Sequence, residues 1–250
     1  MSAVSPEQAA RNNAFWCDAV CRAHGKPGVF LDHLWLNRHP VPRYYSNAVT
    51  LSRGEGSSLQ RERIQELMSA DIPGRWSVKD SFCSLDLTRM GFSILFEATW
   101  ICRAASLHRR RPEIEGVRWS YVKDPLELER WEAAWDGSPG RAIEAERRVF
   151  RQRLLAVDEI VFVAAREGGR IVAGAVANRT GEVVGLSNLF APAQNAAPYW
   201  SGCVAGAMGA FPGLPLVGYE RGADLNSAEE AGFSRLGPLR VWMRRPPAGE

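Results

Sequence analysis

The sequence predicts an α/β fold in two tandem domains, each a mixed, mostly antiparallel sheet with flanking helices, and three observations carry that expectation. The first is an internal echo. Residues 76–103, WSVKDSFCSLDLTRMGFSILFEATWICR, and residues 217–242, VGYERGADLNSAEEAGFSRLGPLRVW, share one pattern. Each runs from a short apolar stretch through charged residues and a helical segment of about nine residues to Gly-Phe-Ser and an alternating strand. The triplets opened by Gly91 and Gly232 stand a domain's length apart, which points to related domains and not to a solenoid of short repeats. The second is a run of strand-like segments at 159–166, 170–178 and 182–190, joined by Glu167-Gly168-Gly169 and Arg179-Thr180-Gly181, links short enough for antiparallel hairpins. The third is the helical stripe Trp200, Cys203, Val204, Ala207, Met208 and Phe211. Gly202, Gly206 and Gly209 weaken that helix by roughly 1 kcal/mol each relative to Ala, so close approach to a sheet is expected in return.

In chain order, Ser5-Pro6-Glu7-Gln8 reads as a helix start, with Ser as cap, Pro at the first helical position and Gln three after the cap. That helix should run to about His24 and stop at Gly25, with Ala14, Cys17 and Cys21 on one face. Strands are expected at 29–36 and 44–51, then an amphipathic helix over 58–70 carrying Leu59, Ile64, Leu67 and Met68. Strand, helix and strand through Arg103 complete a first domain, residues 1–105. Residues 106–116, SLHRRRPEIEG, read as a linker. The second domain, 117–250, opens with a strand at 117–122. Asp124-Pro125 then caps a helix with Leu128, Trp131 and Trp135 at helical spacing, and a further helix is expected over 141–155. After the three-strand meander come the loop Pro192–Pro198, the glycine-bearing helix, a strand at 214–220, a helix at 223–231 and a last strand at 234–244.

Composition bounds the function. The 250 residues are 46% hydrophobic, ample for real cores, and a net charge of +3 gives no push toward nucleic acid or membrane. Neither a signal-like apolar core at the N-terminus nor a membrane-length apolar run is present, so a cytoplasmic, reduced protein is expected. The five cysteines lack zinc-type spacing and read as buried thiols, and no metal is expected. His24, His33, His39 and His108 form no triad arrangement, and Arg109-Arg110-Arg111 reads as a solvated linker. Trp131, Trp135, Tyr199 and Trp200 read mostly as core, with an acceptor pocket as the sharper alternative.

The element order β-α-α-β-β-β-α-β-α-β(β), with the Ala-Gly-Phe ending of the penultimate helix before Gly-Pro-Leu-Arg-Val-Trp, resembles the GNAT superfamily of acyl-coenzyme A-dependent N-acetyltransferases. The resemblance covers residues 116–245, and 44–103 of a shortened first copy. It implies that the strand at 182–190 splays from the strand at 214–220 and that the pantetheine arm of acetyl-coenzyme A, or another acyl-coenzyme A, pairs with Ser187, Asn188, Leu189 and Phe190. It also implies that the pyrophosphate meets the next loop and helix start, at Gln194, Asn195, Ala196 and Ala197, where helix N-termini favour anions.

Two departures stand out. The loop Pro192-Ala193-Gln194-Asn195-Ala196-Ala197-Pro198 lacks the family's Gln/Arg-x-x-Gly-x-Gly/Ala signature, and its prolines remove donors. Arg53-Gly54-Glu55-Gly56-Ser57-Ser58 in the first domain is closer to an anion loop, but Glu55 favours a surface turn. The tyrosine that family members often place four residues before the closing Gly-Phe is Ala228 here, and Leu87 in the first copy. Glu220 is then the candidate base, with Tyr219 or Tyr199 as acid. The plainer alternatives are a solvated strand-end carboxylate and packed tyrosines. The resemblance implies acyl transfer from acyl-coenzyme A to a small-molecule or peptide amine. The alternative is a non-catalytic ligand-binding or interaction module that has lost the phosphate loop and the acid. A homo-oligomer is left open.

Overall fold

Ser5 opens the first helix, α1 (Pro6–Ala23), with both halves of the capping box in place: its side chain accepts from Gln8 N, and Gln8 Oε1 accepts from Ser5 N at 2.9 Å. Ser5→Ala is expected to lower unfolding stability by about 1 kcal/mol, read by urea unfolding. The computed structural model describes residues 4–54, 56–70, 72–74, 76–105 and 113–244. Glu55 and most of the expected linker, with His108 and the Arg109–Arg111 run, lie outside the described residues. The chain divides into two compact units: the residues up to Trp100 together with those from Leu236, and Ile101–Arg235.

The first unit holds β1 (Val29–Phe30), β2 (Leu34–Leu36), β3 (Ala48–Thr50), α2 (Gly56–Met68), β4 (Trp76–Asp80), the start of β5 (Phe92–Arg103) and most of β11 (Ser234–Arg244). Its strands order as β1-β2-β3-β4-β11-β5. The β3–β4 pair is parallel, and β11, which the sequence reading set in the second domain, runs antiparallel to β4 with Trp242 opposite Val78. Trp242 thereby joins a core of Leu34, Ile64, Leu67, Trp76 and Phe92.

Three expected elements of this unit come out differently. The strand expected at 29–36 is a tight hairpin, closed by Leu31 N donating to Leu34 O at 2.8 Å. The strand expected from 44 starts only at Ala48, after Tyr44 takes a left-handed φ of 72°. Most tellingly, the helix expected before Gly91 shrinks to a single 3-10 turn over Thr88–Met90. The cause is Asp80, wholly buried, whose carboxylate accepts from Ser84 N at 3.1 Å and Leu85 N at 2.9 Å. Those donors are held in a turn, with Cys83 at φ 52°, and are lost to any helix.

The second unit contains β6 (Val117–Tyr121), α3 (Pro125–Trp135), β7 (Ile160–Glu167), β8 (Arg170–Thr180), β9 (Val183–Phe190), α4 (Ala196–Ala210), β10 (Leu216–Glu220) and α5 (Gly222–Glu230). Its strands order as β6-β7-β8-β9-β10, antiparallel except for the parallel β9–β10 pair. The helix expected over 141–155 is replaced by two 3-10 turns, Ala145–Arg147 and Gln152–Ala156. Glu132 on α3 causes this: fully buried, it accepts from Val149 N and from Arg148 Nε, which holds the segment between the turns extended.

The glycines of α4 do what their spacing promised. Gly202 faces the Trp119 indole of β6, Gly206 faces Val163 of β7, and Tyr121 Oη donates to Gly206 O at 3.0 Å. Trp131 and Trp200 are core residues: Trp131 stacks edge-on to Phe150, Phe162 and Phe190, and Trp200 packs with Val204 and Leu216. Cys17, Cys21 and Cys203 are buried, and burial, with Cys17 beside it, pushes the Cys21 thiol up to about 12.

Candidate active site

The site is built where β9 and β10 run parallel and then part. Their register covers Val184 with Leu216 and Gly185 with Val217, and no further pair. At the next position Gly218 has no side chain to keep it off β9: a Cβ there would stand 2.8 Å from Leu186 O. The β9–β10 register ends there, and β9 continues through Ser187, Asn188, Leu189 and Phe190.

The second half of β9 is also re-aimed. Against β8, Gly174 faces Phe190 and Val176 faces Ser187, so three steps on β9 answer two on β8. The extra residue makes a bulge, and Asn188 takes a left-handed φ of 51° there. Asn is the non-glycine type that tolerates this conformation best, and that is the only trace the bulge leaves in the sequence. After the bulge, Leu189 packs toward the α4 core while Phe190 stacks on Trp131 of α3 at 5.1 Å. Gly174 is required for that stack, since a Cβ would meet Trp131 Nε1 at 2.4 Å and Val163 O at 2.6 Å.

The loop then delivers the start of α4. Asn195 is its cap residue, left-handed at φ 60°, and makes no side-chain capping bond. A helix leaves its first backbone donors without intrahelical acceptors, and here those belong to Asn195, Ala196 and Ala197, because Pro198 has none to offer. Gln194, Asn195 and Ala197 are exposed and Ala196 is half-buried on the core. The β9 edge and the α4 start are the two places here where backbone amides could meet a ligand, and the loop between them carries no cationic side chain. In the first unit Arg53 is tied to Glu7 at 3.1 Å and lies over the Phe82 ring, which matches a structural turn.

Glu220 closes β10. It is half-buried, and burial, followed by the nearby Asp224 carboxylate, raises its pKa to about 8. Asp224 lies in the first turn of α5, a place that helix ends favour for an acid. Sequence reading passed over it. Tyr219 precedes Glu220 and is half-buried. Alternation sends the two side chains to opposite faces, but the strand ends at Glu220, and Gly222 at φ 56° turns the chain into α5. Tyr199 is 8% exposed and packs with Ala165 and Ala173. Its ring belongs to the sheet-facing side of α4. Ala228, where a tyrosine is often found in the family, is fully buried among Leu225, Ala231 and Phe233.

Among the described residues no group of three or more His, Cys, Asp or Glu could hold a metal ion, and no helix is long and apolar enough to cross a membrane. No protein-family model and no curated protein matches the sequence. Solved structures do. A GCN5-related N-acetyltransferase from Kribbella flavida superposes with a TM-score of 0.63 at 17% identity, covering 99% of this chain and 98% of that one. A GCN5-related N-acetyltransferase from Sphaerobacter thermophilus gives a TM-score of 0.56 at 14% identity over 98% of this chain and 95% of the other. A tandem GNAT protein from the clavulanic acid biosynthesis pathway gives 0.57 at 10% identity, over 86% and 79%. With these matches running nearly end to end, the chain has the mixed α/β fold of the GNAT N-acetyltransferases.

Proposed function

We propose that the protein is an N-acyltransferase that moves an acyl group, most simply acetyl, from acyl-coenzyme A to the amine of a small molecule or peptide, at the β9–β10 gap of the second unit. The parting of the parallel pair after Val217, with Glu220 at its end, carries this reading. The stretch of β9 beyond its register with β10, residues 187–190, lines one side of the gap, and the first amides of α4 offer an anion site at its mouth. The echo of one short segment a domain's length along the chain and the fit to a tandem GNAT structure favour a duplicated origin, with the first copy retained as scaffold.

The thioester supplies an activated acyl carbon. Attack by the amine forms the C–N bond and breaks the C–S bond, so one proton must leave the nitrogen and one must reach the sulfur. Glu220, with its pKa near 8, is matched to accept a proton from an ammonium at mildly alkaline pH. Tyr219 is the donor toward the leaving thiolate, and Tyr199, held in the core, is the lesser choice. Two carboxylates four residues apart, Glu220 and Asp224, also favour an acceptor that arrives as a cation.

Binding tests the reading before any acceptor is found. Acetyl-coenzyme A is expected to raise the melting temperature, by the mass-action stabilisation any native-state ligand brings, and dephospho- or desulfo-analogues should compete with it. No shift and no calorimetric heat at millimolar acetyl-coenzyme A would leave the fold serving as a non-catalytic module.

A further inference from the structure

The second unit contains a cavity of about 360 Å³ that shares no residue with the gap described above. It lies between α3 and the segment that follows it. Leu126, Ala133 and Ile143 give it apolar walls, and Leu126 is 56% exposed, a large side chain with nothing covering it. Its volume falls at the small end of the range of ligand pockets, roughly 300–1,000 Å³.

The charges around the cavity are unequal in a specific way. Arg148 lies on one wall with every part of its guanidinium taken: Nη1 by Glu129 at 2.5 Å, Nε by Glu132 at 3.2 Å and Nη2 by Phe150 O at 3.2 Å. Glu129, the one acid in the lining, is thereby held in an ion pair, on a guanidinium it shares with Glu132. Arg130 and Arg141 also line the cavity, and among the described residues neither guanidinium has a hydrogen bond or ion pair. Two planar donor forks beside an apolar wall, with the nearby acid already paired, select an anion and reject a cation.

We propose that this cavity is a second ligand site, and that it takes a small organic monocarboxylate with an aliphatic or aryl body. The guanidinium fork matches a carboxylate in two parallel hydrogen bonds, and the apolar walls cover the rest of the molecule. The site neither depends on acyl transfer nor contributes a residue to it.

Titration with hexanoate, followed through the Ile143 methyl resonances, tests the assignment, with hexanamide as a neutral isostere and hexylamine as its cationic counterpart. Hexanoate is expected to shift Ile143 saturably, hexanamide to bind at least about tenfold more weakly, and hexylamine not to bind. Replacing both arginines (R130Q with R141Q), exposed positions whose loss leaves the core intact, is expected to bring hexanoate down to the level of hexanamide. Equal affinity for acid and amide, an unchanged affinity in the doubly substituted protein, or no saturable shift at Ile143 each overturns it. Acetyl-coenzyme A binding measured in the same samples reports separately on the acyl-transfer site.

Discussion

Glu220→Gln is expected to cut the release of free coenzyme A thiol with an amine acceptor by about a hundredfold or more, the range for loss of a positioned base, while making the protein more stable at alkaline pH. Both effects have one cause. The Glu220 carboxyl is held up to about 8, first by burial and then by Asp224. In the unfolded chain it titrates near the ordinary glutamate value of 4.5. Between those two values the folded protein keeps a proton that the unfolded chain releases, so folding loses stability as pH rises through the window and stays penalised above it. Glutamine carries no charge to desolvate. Its advantage is nil at the acid end of the window and largest above pH 8. Urea unfolding at about pH 4 and about pH 9 should show the two proteins matching at the first and diverging at the second. Activity should rise in the wild type with a limb near 8, and Asp224→Asn should move that limb to lower pH by removing the second cause. An unchanged kcat/KM in Glu220→Gln removes that side chain from the mechanism, whereas a lost rate without the stability gain makes it a packing residue.

What could be read from the sequence alone follows a physical division. Elements set by periodicity and local caps were legible: α1 with its Ser5 box, the meander β7, β8 and β9, and the glycine face of α4 all stand close to where the residues placed them. Elements that depend on which amides one buried carboxylate captures were not. Periodicity does not announce that Asp80 will be buried and take the amides of Ser84 and Leu85, or that Glu132 will hold Val149 N from seventeen residues away, yet each of these cancels a helix that spacing alone would support. The same holds within the site. Glu220 could be placed at a strand end, but the raised pKa comes from tertiary burial and from Asp224 around the turn. Asn188 and Gly218 looked ordinary until the bulge and the close approach to Leu186 O gave them roles.

Gly202→Ala should destabilise the second unit by about 2–4 kcal/mol, against the helix propensity scale, on which the same change in an open helix gains about 1 kcal/mol. An alanine Cβ at this position would lie 1.9 Å from Trp119 Cζ2 and 2.3 Å from Cη2, so helix and indole cannot both keep their places. The ring has somewhere to go, because Trp119 is only half-buried and its buried Nε1 makes no hydrogen bond that would anchor it. Swinging outward forfeits the burial of a large aromatic and opens a void between α4 and β6, which is where the estimated loss comes from. Gly209→Ala is the control on the same helix. That glycine is exposed and meets only the Tyr121 hydroxyl, at 3.2 Å, so the propensity gain should survive there and the sign should reverse. Urea unfolding of the two variants separates the effects, and Trp119→Leu combined with Gly202→Ala should cost less than the sum of the single changes. An additive cycle would mean that α4 shifts as a body. Its start, with the free amides at Ala196 and Ala197, would then move too, and acetyl-coenzyme A binding should weaken in step with stability.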